Sequence, residues 1–105
     1  MLEENKILVV DDKKKTYDKV RSIFVPKGFS VFYASDIRKA FRAFRTENPQ
    51  IIIQKIDDNI IEPSLKLLRK IMNIDYQSTV MMVSSLPSLK AVVESLRAGA
   101  ADFIT

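Results

Sequence analysis

Residues 7–12 read Ile-Leu-Val-Val-Asp-Asp, and the fold turns on them. Four branched apolar residues in a row, with no polar alternation, mark a strand buried on both faces. Such a strand belongs to a parallel sheet with helices on each side, and here it ends on two carboxylates. Working outward, Tyr17, Val20, Ile23 and Phe24 recur at helical spacing between Lys14 and Val25, and Pro26 and Gly28 close that helix. Val31-Phe32-Tyr33 reads as a second strand. Ser35 or Asp36 then caps a helix with Ile37, Ala40, Phe41 and Phe44 inward, ended by Asn48-Pro49.

The same alternation continues. Ile51-Ile52-Ile53 reads as a third strand, followed by a polar loop and a helix with Leu65, Leu68, Ile71 and Met72 inward. Val80-Met81-Met82-Val83 is a fourth strand. Pro87 is expected in the first turn of a helix that buries Leu89, Val92, Val93 and Leu96 and stops at Gly99. Phe103-Ile104 opens a fifth strand. Strands alternating with helices through short loops predict an α/β domain, a doubly wound parallel sheet with right-handed crossovers. There is no internal repeat, low-complexity segment or linker, so residues 1–105 read as one domain.

Composition narrows the chemistry. Leu, Ile, Val and Phe make up 35 of 105 residues, enough apolar area to offset the ordering entropy of the chain and exclude disorder. The sequence holds neither Cys nor His, which excludes a disulfide scaffold, a Cys/His zinc site, a histidine base and a cysteine nucleophile. No apolar run approaches the roughly 18 residues of a membrane span, and MLEENK does not read as a signal peptide. The expectation is a soluble, cytoplasmic domain. The formal charge is +4, with Lys13, Lys14 and Lys15 consecutive. That excess suits either solvated helix faces or a polyanionic partner. No aromatic stripe interleaves with the cations, so direct nucleic-acid binding is not the favoured reading.

Parallel α/β sheets place their sites at the carboxyl ends of the strands. The residues following those strands are Asp11-Asp12, Lys55, Ser84-Ser85 and Thr105. Adjacent carboxylates repel unless a cation lies between them, and hard oxygen ligands suit Mg²⁺. Equally, Asp12 could cap the following helix. Neither GxxxxGK[ST] nor GxGxxG occurs, so the phosphate-binding loops of nucleotide enzymes are absent.

The chain resembles the receiver domain of two-component response regulators, the family of the chemotaxis response regulator. The residues that carry the resemblance are ILVVDD at 7–12, GFSVFYASD at 28–36, NPQIII at 48–53, LKLLRKI at 65–71, VMMVSS at 80–85 and LRAGAADFIT at 96–105. The interval from Ser84 to AGA at 98–100 and the ADFIT ending are most similar to receivers of the nitrogen-regulator type, which precede an ATPase and a DNA-binding domain. The resemblance implies a flavodoxin-like strand order 2-1-3-4-5 and phosphoryl transfer to an aspartate at the end of the third strand. It also implies Mg²⁺ at Asp11 and Asp12, a sensor hydroxyl at Ser84 and a switch aromatic at Phe103. The partners it implies are proteins: a histidine kinase, or the output domain of a longer parent.

Two departures stand out. Six positions after Pro49, where the family has its acceptor aspartate, this sequence has Lys55, and the loop beyond reads IDDNIIEPS without the usual Met/Leu-Pro and Asp-Gly. An ammonium has no lone pair for attack. Asp11, Asp12 and Lys55 sum to −1 where three carboxylates would give −3, so the lysine could serve as a built-in counter-ion or could snorkel to solvent. The expectation is a degenerate receiver that binds Mg²⁺ weakly, needs no other cofactor and is not an enzyme. Asp57 or Asp58 is the alternative acceptor if the third strand runs longer, and an ordinary phospho-accepting regulator is then the alternative function. A nucleic-acid-binding fragment is a third option, resting on charge alone. The second departure is the end at Thr105, one position before the lysine that the resemblance implies after the fifth strand, in contact with the phosphoryl group, and before a fifth helix. Lacking that helix, one sheet face is expected to be part-covered, and a homodimer through it is one expected consequence.

Overall fold

The computed structural model describes residues 5–57 and 59–105. Five parallel strands, β1 (Lys6–Val10), β2 (Ser30–Ala34), β3 (Ile51–Lys55), β4 (Thr79–Val83) and β5 (Asp102–Ile104), form one sheet in the order β2-β1-β3-β4-β5. Between them run α1 (Lys15–Phe24), α2 (Ile37–Glu47), α3 (Glu62–Ile74) and α4 (Leu89–Arg97). The expected flavodoxin-like, doubly wound architecture is the one observed.

Side chains alternate across the sheet, so each strand feeds two cores. Leu8, Val10, Ile52, Val80 and Met82 point to one face and are covered by α2, α3 and α4 through Ala40, Phe44, Leu67, Leu68, Ile71 and Ala91. Ile7 and Val9 point to the other face and pack under Val20 of α1, with Tyr17, Phe24, Val31, Ile51 and Ile53 around them. The register lines these residues up across the sheet: Leu8 opposite Ile52, Ile52 opposite Val80, and Met82 opposite Phe103. On the α1 side, Ile53, Met81 and Val83 are only half-buried.

Local chemistry sets the helix ends. Asp36 caps α2 by accepting the Lys39 N–H at 2.8 Å, and Ser88 caps α4 by accepting the Ala91 N–H at 3.0 Å. Asp36, of the two candidates at that position, is therefore the cap. After α1, Val25–Lys27 form one 3₁₀ turn that ends at Gly28 in the left-handed region, φ 93°. Gly99 ends the α4 segment with φ 110°.

Four local expectations need correction. Pro87 lies outside α4, ahead of the Ser88 cap, because the serine hydroxyl takes the capping role. Leu89 is 80% exposed and Leu96 48% exposed, while the buried residues of α4 are Ala91 and Ser95. Small side chains let that helix sit close to the sheet and turn its leucines outward. Ile23 of α1 is likewise turned out, at 52% exposure. Finally, β3 continues two residues past Ile53, through Gln54 and Lys55.

Candidate functional site at the carboxyl end of the sheet

The loops that leave β1, β2, β3 and β4 surround a cleft of about 650 Å³. Asp11 and Asp12 enter it from the end of β1, Asp36 from the start of α2, and Lys55 and Asp57 from the end of β3. Lys13, Ser35, Asn59, Ser64 and Ser85 complete its polar lining, and the apolar Ile60 and Leu86 stand at its walls.

Asp11 is the most constrained of these groups. It is 3% exposed, and its backbone N–H donates to the Ala34 carbonyl at 3.1 Å, so the tip of β1 is still tied to β2. Its Oδ1 accepts the Lys13 N–H at 3.1 Å, and its Oδ2 accepts the Thr16 hydroxyl at 2.8 Å. Burial pushes this carboxyl up, but the Lys13 N–H, the Thr16 hydroxyl, a hydrogen bond with Asp12 and the charge of Lys55 outweigh it. The net result is a carboxyl held below the ordinary aspartate value.

Lys55 closes β3, opposite Val83 of β4 in the register, and is half-buried in the same cleft. Its charge acts on Asp11 across the cleft. Among the described residues, the close ion pairs are Lys6–Glu47 and Arg69–Glu62, so Lys55 acts as a counter-ion at longer range than a direct pair. Gln54, unremarked in the sequence, is fully buried beside it and donates through Nε2 to the Ser64 carbonyl at 3.1 Å. That bond fixes the first turn of α3, and hence one wall of the cleft, to the end of β3.

The remaining predicted site residues separate. Asp57 lines the cleft, exposed, with its Oδ1 accepting the Asn59 N–H at 3.0 Å in the turn after β3. Asp58 lies outside the described residues. Ser84 is 1% exposed, its N–H donating to the Ile104 carbonyl at 3.0 Å, and its neighbour Ser85 is the serine that lines the cleft. Phe103 packs against the core under α2, α3 and α4.

Mg²⁺ takes near-octahedral oxygen ligands. The cleft lining holds Asp11, whose two oxygens already accept donors from its own chain, with Asp12, Asp36, Asp57 and the Lys55 side chain. No group of three or more acidic or other ligating side chains stands together among the described residues. This donor set is a poor match to a dication.

No helix among the described residues is long and apolar enough to cross a membrane. Comparison with known proteins gives a consistent picture. The chain is 28% identical over 101 residues to the chemotaxis protein CheY of Bacillus subtilis, covering 95% of this chain and 83% of that one. It is 25% identical over 100 residues to the regulatory protein AtoC of Escherichia coli, covering 95% of this chain but only 22% of that one. The crystal structure of a CheY-like response regulator receiver domain protein from Methanospirillum hungatei superposes with a TM-score of 0.86 at 26% identity, covering 97% of this chain and 81% of the other. The response regulator receiver domain family model matches residues 7–105, and with the 2-1-3-4-5 sheet and the acidic cleft at its carboxyl end, the chain belongs to that family.

Proposed function

We propose that this domain is a degenerate receiver: a signalling module of the two-component type that works through protein contacts and takes no phosphoryl group. The observation that carries the reading is Lys55 at the end of β3, in one cleft with Asp11 and Asp12. An acceptor must present a lone pair in line with the phosphorus, beside a metal that neutralises the developing charge. An ammonium at that corner supplies neither the lone pair nor a ligand. On this reading Mg²⁺ binds weakly and the domain is a cytoplasmic binding module rather than a catalyst. Its partners are a histidine kinase or an output domain of a longer parent, and self-association is a further mode.

Asp57 supports one alternative, an ordinary phospho-accepting regulator, because it lines the same cleft. The two are separated by incubating the protein with Mg²⁺ and acetyl phosphate and reading its intact mass. No added mass is expected. A phosphoryl group mapped to Asp57 or Asp58 overturns the degenerate reading.

A further inference from the structure

The cations of this chain are distributed unevenly. Helix α2 exposes Arg38, Lys39, Arg42 and Arg45, and α3, packed beside it, exposes Lys66, Arg69 and Lys70. Against these seven stand two acids, Glu47 and Glu62, in a chain whose whole formal charge is +4. Both acids are engaged: Glu47 lies 3.8 Å from the Lys6 ammonium, and Glu62 accepts from Arg69 at 2.7 Å. The two helices together thus carry a net +5 on their exposed sides, apart from a second group of cations along residues 13–27 around α1.

The face has a defined centre. Arg38, Arg42 and Arg45 follow i, i+4, i+7 spacing, and Lys66 and Lys70 follow i, i+4, so each helix carries one row of cations. The rows meet over Phe41, half-buried between the helices. Lys70 Nζ lies 4.6 Å and Arg45 Cζ 5.8 Å from the centre of its ring. A cation from α2 and one from α3 thus converge on an aromatic floor.

We infer that the α2–α3 face is a docking surface for an acidic polypeptide segment that lies along the seam of the two helices, its carboxylates on the two rows of cations and an apolar side chain beside Phe41. Charge complementarity selects an anion, and the boundary of the patch selects the kind. Asp36 caps the start of α2 and Glu62 opens α3, so the same end of both helices is acidic. A nucleic-acid duplex carries an unbroken run of phosphates, one charge per about 1.7 Å of its axis, and laid along the rows it would set phosphates over those carboxylates. A short acidic segment can confine its charge to the basic part. This surface is separate from the cleft, so it stands or falls independently of what Lys55 does.

The test uses the 105-residue chain and a fluorescent synthetic peptide of about 12 residues, mixing Glu and Asp with two Leu at i, i+4 spacing, at about 0.15 M salt. Arg45→Glu with Lys70→Glu is expected to weaken binding at least 10-fold. Lys14→Glu with Lys15→Glu changes the net charge equally at another site and is expected to weaken it less than 2-fold. Circular dichroism checks the fold, and Arg38→Glu with Arg42→Glu gives the same readout if the first pair is unfolded. The inference is overturned by no peptide binding to the unsubstituted protein, by equal losses in the patch and control variants, or by a 20-base-pair duplex binding more tightly than the peptide.

Discussion

Thr16 Oγ1 donates to Asp11 Oδ2 at 2.8 Å, so the helix that follows β1 holds the carboxylate at the tip of β1. Together with the Lys13 N–H on Oδ1, it supplies from within the chain what a bound cation would otherwise supply: compensation for a nearly buried negative charge.

That relationship has a pH signature. The Asp11 carboxyl is held below its reference value of 3.8, so its stabilising contribution is complete above that value and is lost as pH falls through the lower folded value. Hydrogen bonds to charged groups contribute about 1.5–3 kcal/mol. Thr16→Val should therefore cost about 1–2 kcal/mol at neutral pH by urea denaturation, with the deficit shrinking once the carboxyl is protonated. A deficit that stays constant down to about pH 2 would mean that the threonine acts through packing alone.

Lys55→Asp should restore metal affinity. The substitution takes the cleft trio of Asp11, Asp12 and Lys55 from −1 to −3. Unit charges about 8 Å apart at an effective dielectric of 20 interact by about 2 kcal/mol, and a two-unit change of one neighbour acts on a dication several-fold more strongly before desolvation. A gain of at least about 10-fold in Mg²⁺ affinity by calorimetry is the expected outcome. Tight Mg²⁺ binding by the unsubstituted protein would contradict the counter-ion role of the lysine.

The strands were readable because the interior of a doubly covered sheet admits almost nothing but apolar residues, and the unbroken apolar runs at 7–10 and 80–83 obey that rule. The end of β3 was not, because Gln54 and Lys55 read as loop residues. Gln54 is fully buried with its Nε2 on the Ser64 carbonyl of α3, a contact that periodicity does not encode. The face of α4 was misread for a related reason. Hydrophobic spacing points Leu89 and Leu96 inward, whereas close approach to the sheet selects Ala91 and Ser95. At the site, the spacing from Pro49 located Lys55, and the structure puts Asp11, Asp12 and Asp57 in the same cleft. Which of Ser84 and Ser85 lines the cleft depends on side-chain direction just past β4, and adjacency in sequence does not disclose it.

The corrected face of α4 can be checked against α3. Leu68 is fully buried and Leu89 is 80% exposed. Removing a buried leucine side chain costs about 2–5 kcal/mol, whereas an exposed substitution stays within about 0.5 kcal/mol. Leu68→Ala should lower the urea midpoint steeply at unchanged slope, by a large fraction of the roughly 5–15 kcal/mol that stabilises a small domain. Leu89→Ala should barely move it. Equal effects would place Leu89 in the core after all.

Gly28 and Gly99 both have positive φ, at 93° and 110°, and differ sharply in what surrounds them. A Cβ on Gly28 would meet nothing within 4 Å, so Gly28→Ala carries backbone strain alone, about 1 kcal/mol. A Cβ on Gly99 would lie 2.8 Å from Cγ of Met72 and 3.0 Å from its sulfur, so Gly99→Ala adds a clash with α3. Overpacking costs typically about 1–3 kcal/mol. Met72→Ala removes the clash and leaves the strain. In a double-mutant cycle, Gly99→Ala should therefore cost about 2–4 kcal/mol with Met72 present and about 1 kcal/mol, the Gly28→Ala figure, in its absence. A coupling energy near zero would show that the methionine swings aside freely and that backbone conformation alone demands glycine where α4 turns toward β5.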